Sequence, residues 1–225
     1  MLISPIAYIR TEFPEKFGVP RQSGLAPDLR GTVVIEPEYR SADALRGLDG
    51  FSHIWLIWEF SANRNNGDWQ PTVRPPRLGG NERMGVFATR SPFRPNPLGL
   101  SCVEVDKVEY DTPDGPVIHV RGADLMDMTP IYDIKPYIRY ADSHPEAVCG
   151  YVDTLDERTL TVVIPEGIAS SVKDKSVLDA LVQTLSLDPR PSYHDDPDRV
   201  YGLSYAGMNV RFKVFLRKLT VIGID

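Results

Sequence analysis

Apolar residues in the first two thirds of the chain come in short runs separated by turn residues, the rhythm of strands rather than helices. Residues 3–9 and 32–35 are brief runs of this kind. Residues 51–60, FSHIWLIWEF, carry the strongest strand pattern. Both of their alternating faces, Phe51-His53-Trp55-Ile57-Glu59 and Ser52-Ile54-Leu56-Trp58-Phe60, are largely apolar, so burial on both sides is expected. Further strands are predicted over 85–89, 100–110 and 117–120, with Thr112-Pro113-Asp114-Gly115 as the hairpin turn between the last two. Helical pattern in this region is confined to residues 42–46, with Ser41 as the N-cap. Many short strands with Gly and Pro punctuation predict a barrel or closed sheet. No doubly wound dinucleotide fold is visible.

The pattern changes near Ser143. Residues 159–164 read as a strand ending at Pro165, and residues 172–187 as a helix with apolar positions at Val172, Val177, Leu178, Leu181, Val182 and Leu185. Ser171, followed by Asp174, resembles a capping box, and Pro189 ends the helix. A loop rich in Pro and Asp (188–198) leads to two final strands, 209–216 and 219–224. The expected architecture is mainly β: a barrel domain over residues 1–145 and a small α+β domain over residues 146–225.

Composition narrows the class. With 42% hydrophobic residues among 225, the chain is an ordinary globular protein and not a disordered one. No apolar run approaches the ~18 residues that span a bilayer. Met1-Leu2-Ile3-Ser4-Pro5 lacks the basic region and long apolar stretch of a secretory signal. Cys102 and Cys149 are too few for a disulfide scaffold and have no CxxC spacing, which suggests reduced thiols in a cytoplasmic protein. The histidines (His53, His119, His144, His194) form no HxH or HExxH pattern, so no metal site is expected.

The formal net charge of −6 argues against a globally basic nucleic-acid coat, but its distribution is uneven. Residues 69–101 hold Arg74, Arg77, Arg83, Arg90 and Arg94, six prolines and four glycines against one acid, Glu82. Prolines lower the entropy lost when a loop is held in one shape, and a guanidinium fork matches phosphate or carboxylate. From the residues alone, arginines paired with acids elsewhere in the chain is an equal reading. A second cluster, residues 16–25 (KFGVPRQSGL), joins a rigid turn to an arginine, an amide and open backbone. A third, residues 122–140, sets Asp124, Asp127 and Asp133 among apolar and aromatic residues. Such carboxylates can hold a ribose or ammonium group or accept a proton, and capping of turns has similar weight. No GxSxG elbow, Walker A loop or GxGxxG after a strand is present. This much reaches a β-rich protein with an arginine-lined anion pocket, and no reaction.

The same clusters name one. KFGVPRQSGL, LRGLDGFSHIWLIWEF, TVRPPRLGGNERMGVFATRSPFRPNPLGLS and DLMDMTPIYDIKPYIRYADS resemble the signature blocks of the TsaA-like (TrmO) family of tRNA methyltransferases, in order along the chain. Asp188-Pro189-Arg190-Pro191-Ser192-Tyr193 resembles the DPRPxY element of its longer bacterial members. The resemblance implies methyl transfer from S-adenosylmethionine to the exocyclic nitrogen of threonylcarbamoyl-adenosine, beside the tRNA anticodon. It implies a single-sheeted β-barrel, a homodimer with the site near the subunit interface, and no metal. It places Arg21, Gln22, Ser23, Gly24, Leu25, Arg90, Leu100, Asp124 and Leu125 at the donor. Arg74, Arg77, Arg94, Lys135, Arg190 and Tyr193 become candidates for tRNA phosphates or the threonyl carboxylate.

Methyl transfer from a sulfonium is an in-line displacement that needs positioning more than an enzyme nucleophile. Asp124 and Asp127 are the candidates to accept the proton of the acceptor nitrogen or to hold the donor. Two departures from the family pattern stand out: Ser61 where members often have His, and Met128 in a turn that usually reads Asp-Gly-Thr-Pro. The alternatives are a methyltransferase of the same family acting on another RNA or a small metabolite, a non-catalytic donor- or RNA-binding module, and a scaffold dimer with structural arginines.

Overall fold

The computed structural model describes residues 2–62, 69–155, 159–191 and 196–225. Strands β1 (Ala7–Thr11), β2 (Arg30–Ile35) and β3 (His53–Glu59) precede a small ribbon, β4 (Thr72–Val73) and β5 (Met84–Gly85). Then come β6 (Leu98–Glu109), β7 (Val117–Arg121) and β8 (Thr129–Pro136). A short helix α1 (Arg139–Asp142) leads to β9 (Thr161–Val163), α2 (Glu166–Ala169), α3 (Lys175–Ser186) and the strands β10 (Tyr201–Tyr205), β11 (Met208–Phe215) and β12 (Lys218–Ile224).

Six strands close into an antiparallel barrel in the order β1-β2-β7-β6-β3-β8, which leaves no unpaired sheet edge. Alternation sends Ile54, Leu56 and Trp58 of β3 inward beside Ile9, Val33 and Ile118. The outward residues Trp55, Ile57 and Glu59 are half-buried, so the expected burial of both faces of β3 is met on one side only. β6 and β8 flank β3 within the same sheet, and its outer face is partly covered. Trp55 Nε1 donates to Asp142 of the short helix after β8 at 3.1 Å, and its ring centroid lies 6.1 Å from that of Tyr137. Gly99, opposite Trp58 across the β3–β6 pair, is what admits the indole, because a Cβ there would sit 2.3 Å from the ring.

The second sheet runs β10-β11-β12-β9, with β9 parallel to β12, and α3 packs Leu181 and Leu185 onto Leu203, Val210 and Phe212. Three strands therefore close the chain where two were expected. Tyr201, Leu203 and Tyr205 alternate inward, and a two-residue turn, Ala206-Gly207, has both φ values positive (51° and 74°), as a tight hairpin requires.

Other expectations shift locally. The strand predicted over 85–89 is reduced to Met84–Gly85, followed by a 3-10 turn over Val86–Ala88 that buries Val86 and bonds its N–H to the Pro71 carbonyl at 2.9 Å. Residues Ala42–Leu45 are a 3-10 helix anchored by Leu45, and Ser41 makes no side-chain cap bond. Helix α3 starts later than predicted because Ser171 closes α2 instead, donating to the Ile168 carbonyl at 2.7 Å, and Asp174 is the cap, accepting from the Ser176 N–H at 2.8 Å.

The two cores do not follow chain order. Phe13, Ala26 and Leu29, from the β1–β2 connection, are buried in the core of the second sheet and not in the barrel.

Candidate active site

Because the barrel is antiparallel, the connections 12–29, 60–97 and 122–128 all cap the same end of it. Two of the three sequence clusters thus meet the third in space. At the opposite mouth a cavity of about 510 Å³ is lined largely by aliphatic and aromatic residues such as Ile6, Leu48 and Phe51, with Arg46 as its one charged lining group. It holds none of the candidate site residues.

Asp124 is the centre of the capped end. Trp58 Nε1 donates to Ser101 Oγ at 2.9 Å, which turns the hydroxyl proton toward Asp124 Oδ1 at 2.6 Å. The carboxylate also accepts its own N–H and that of Ser23, and the Arg90 guanidinium acts on it from nearby. Burial is the largest influence and raises the Asp124 pKa above the ordinary carboxylate value; those bonds and Arg90 pull the other way without cancelling it. Trp58 and Ser101 were not among the sequence candidates. The signal that finds them is strand register: Trp58 pairs with Gly99 and Leu56 with Ser101, so two residues apart on one strand face the interior beside the third cluster.

The 16–25 segment reaches this carboxylate through its backbone. Gly24 N–H donates to the Gly122 carbonyl at 2.9 Å, and Gly122 N–H donates to the Leu29 carbonyl at 2.8 Å. Gly122 has φ of 70°, and a Cβ on it would lie 3.2 Å from the Gly24 Cα, so the close approach of the two connections depends on a glycine at 122. Gln22 accepts a hydrogen bond from Arg90, and Leu25 is exposed at the same end. Arg21 keeps much of its surface open to solvent, yet its guanidinium pKa is lowered, first by local desolvation and then by Arg77, with Asp188 acting in the opposite sense. Leu100 is 52% exposed on the outer face of β6. Leu125 is 1% exposed within the barrel core, so only its backbone can meet a ligand.

The remaining candidates divide by what already engages them. Asp127 Oδ1 accepts the Thr11 N–H at 3.0 Å and its own N–H donates to the Phe13 carbonyl at 2.8 Å, so it braces the β1 end. Arg94 donates to the Thr89 carbonyl at 2.8 Å and lies 5.8 Å from the Phe87 ring centroid, shaping its own loop. Arg190 is 11% exposed and makes a two-pronged pair with Asp188 at 2.8 and 2.9 Å. Lys135 pairs with Asp133 at 3.0 Å on the barrel wall. Arg74 and Arg77 stand exposed on the β4–β5 connection. Ser61 is exposed just beyond β3, and Tyr193 lies outside the described residues. Among the described residues no group of three His, Cys, Asp or Glu side chains could hold a metal ion, and no helix is long and apolar enough to cross a membrane.

Met128 occupies a turn with φ of 59°, the left-handed region that the usual glycine of this turn adopts freely. The backbone has kept the turn and the side chain bears the strain.

The chain matches the tRNA-methyltransferase O N-terminal domain over residues 8–143 and the TrmO C-terminal domain over residues 157–225. It is 40% identical over 216 residues to a protein of Escherichia coli (strain K12) named tRNA (adenine(37)-N6)-methyltransferase, covering 93% of this chain and 91% of that one. A Pseudomonas aeruginosa protein named putative S-adenosylmethionine-dependent methyltransferase RcsF is 37% identical over 242 residues, covering 99% and 98%. The crystal structure of TrmO from Pseudomonas aeruginosa superposes with a TM-score of 0.81 at 31% identity, covering 100% of this chain and 98% of that one. Both domain matches, in order, and a fold shared along the whole length lead to one conclusion: the chain belongs to the TrmO family.

Proposed function

We propose that this chain methylates the exocyclic nitrogen of adenosine 37 in tRNA with S-adenosylmethionine, and that the acceptor is the threonylcarbamoyl-modified base. The observation that carries this reading is Asp124: a desolvated carboxylate held by Ser101, at a junction of open backbone and guanidinium groups.

The residues present suit such a donor. A cationic sulfonium favours a carboxylate neighbour, the Gly24 and Gly122 backbones leave no side chain in the way, and Leu25 and Leu100 offer apolar surface. When bound, the donor supplies an electrophilic methyl group. Asp124 accepts the proton that the acceptor nitrogen gives up, and its raised pKa makes it a stronger base than an ordinary aspartate. Ser101, oriented by Trp58, keeps the carboxylate pointed at the site. We assign Asp127 to positioning, since Thr11 and Phe13 occupy it. We assign Arg21 and Arg90 to the threonyl carboxylate, and Arg74 and Arg77 to tRNA phosphates.

A second copy of this chain completes the site in this reading. The outer barrel face carries Trp55, Ile57 and exposed Leu100 side by side, and Leu100 belongs both to that face and to the donor residues. An apolar strip continuous with a ligand site is better covered than left in water.

Incubation with donor and tRNA carrying or lacking the threonylcarbamoyl group, followed by nucleoside mass spectrometry, tests the proposal. A methyl shift confined to the modified tRNA is expected. No shift on either tRNA would sink it, and a shift on unmodified tRNA would overturn the acceptor assignment.

A further inference from the structure

We propose that Gln183, on α3 of the second sheet's core, is a positioning residue for donor binding, through which the C-terminal part of the chain sets the shape of the 12–29 connection. The inference rests on the reading above, in which residues 21–25 of that connection meet the donor.

The connection is long and has no regular secondary structure of its own, so its order comes from its anchors. Near its start the anchors belong to the second sheet. Phe13 packs on Tyr205 with ring centroids 5.1 Å apart, and the Ala206 N–H donates to the Glu12 carbonyl at 3.0 Å. Ser204 Oγ donates to Glu15 Oε1 at 3.0 Å. Gly18 lies against Leu203 so closely that a Cβ would sit 2.2 Å from Leu203 Cδ1.

At its end the connection is held from both sides at once, by Asp28. Arg121, the last residue of β7, donates to Asp28 Oδ1 at 2.9 Å. The Gln183 amide then grips Asp28 at two points: its Nε2 donates to Oδ2 at 2.6 Å, and its Oε1 accepts the Asp28 backbone N–H at 3.0 Å. Ala26 and Leu29 are buried beside α3 in the same core. Residues 19–25 therefore span two fixed points, and one of these is a side chain 155 residues further along the chain.

The amide suits this task better than other side chains do. Asp28 presents a donor and an acceptor together, and a primary amide is the group that answers both at once. A carboxylate in its place would repel Asp28, and an apolar side chain would leave a part-buried N–H unpaired. The Gln183 amide bonds Asp28 and is not among the groups that act on the Asp124 carboxylate, so its influence falls on the donor site's shape and not on the chemical step.

The test uses the full chain with Gln183→Ala, and with Asp174→Ala as a comparison that loosens the cap of the same helix without touching Asp28. Calorimetry with S-adenosylmethionine should show donor Kd raised about tenfold in Gln183→Ala, from two lost hydrogen bonds of which one is charge-assisted. The KM for donor should rise in step, while kcat at saturating donor stays within about twofold. Amide hydrogen exchange over residues 19–25 in the ligand-free chain should speed up in Gln183→Ala and not in Asp174→Ala. Unchanged donor affinity and unchanged exchange in Gln183→Ala would overturn the proposal. So would an equal loss in Asp174→Ala, because the effect would then be general loosening of α3. If the unsubstituted chain bound no donor at all, the functional reading would fail, and the exchange comparison would still decide whether Gln183 holds the loop.

Discussion

Replacing Asp124 by Asn separates catalysis from stability. The substitution keeps the shape and leaves Oδ1 able to accept the Ser101 hydroxyl, which Trp58 already points toward it. What is lost is the charge, the capacity to take a proton, and one of the two oxygens that accept the Ser101 hydroxyl and the backbone N–H groups of Asp124 and Ser23. Loss of a positioned general base costs roughly 10²–10⁴ in rate. Stability should change far less. All influences on Asp124 sum to a raised pKa, so the fold disfavours the ionised carboxyl relative to water. Such a group binds more protons folded than unfolded, and stability falls as pH climbs from the ordinary carboxylate value through the raised one. Above that window an uncharged amide escapes the penalty. At pH 7 the relief of that penalty opposes the loss of an acceptor for the backbone N–H groups, so Asp124→Asn is expected to melt within about 2–4 °C of the parent. The parent's turnover should show an acid limb above the ordinary carboxylate range, and the variant should lack it. The checks are kcat against pH under saturating donor and tRNA, beside calorimetric melting at pH 7. An Asn variant with near-parental turnover would refute the role of base. One that melts far lower at pH 7 would refute the claim that burial dominates the carboxylate's environment.

Other outcomes follow from single residues. Met128 holds φ of 59° while 55% exposed, so Met128→Gly relieves left-handed strain and loses little burial; the net gain should be about 0.5–1 kcal/mol in urea unfolding at unchanged activity. A loss of stability would mean the turn does not depend on that backbone conformation. Leu100→Asp puts a charge on the outer β6 face, and sedimentation should show a smaller species with weakened donor binding; unchanged association would remove this face from the subunit contact. Arg74→Ala should weaken binding of modified and unmodified tRNA alike and reduce the salt dependence of binding by close to one phosphate contact, a slope change of about 0.7–0.9. Equal slopes for variant and parent would take Arg74 out of the interface.

Strand alternation made the barrel legible because closure into one sheet demands little beyond period-two burial. Residues 51–60 illustrate both the success and the gap: the strand is where its pattern placed it, but two apolar faces do not tell which one the monomer covers. Strand β10 escaped notice since Gly202 and Ser204 dilute an alternation that only Tyr201, Leu203 and Tyr205 carry. Within the site, the clusters around Gly24, Arg90 and Asp124 were visible as composition. Trp58, Ser101 and Gln183 were not, because their roles arise from pairing register and from a contact between distant segments. Composition marks which loops matter; long-range partners decide which atoms in them are positioned.

The arginine-rich stretch shows the same division and sets a limit on how this acidic protein can hold RNA. Of its five arginines, Arg94 spends its guanidinium on carbonyls of its own loop, Arg83 donates to Thr72 Oγ1 at 3.3 Å, and Arg90 reaches Gln22 and the field of Asp124. Arg74 and Arg77 present exposed side chains on the β4–β5 connection, and local desolvation followed by the nearby Arg77 disfavours the charge of Arg21. Cations crowded in this way repel until an anion arrives between them, so an anionic ligand gains the relief of that repulsion as well as its own attraction. The whole chain carries −6 and residues 69–101 carry +4, so the remainder carries −10, which works against binding elsewhere. A few contacts of this kind give a logarithmic salt slope of about −2 to −4 per chain, far short of the value near −10 reached by proteins with extended phosphate tracks. Affinity for tRNA should then depend on the shape and modification of the anticodon loop more than on RNA charge in general.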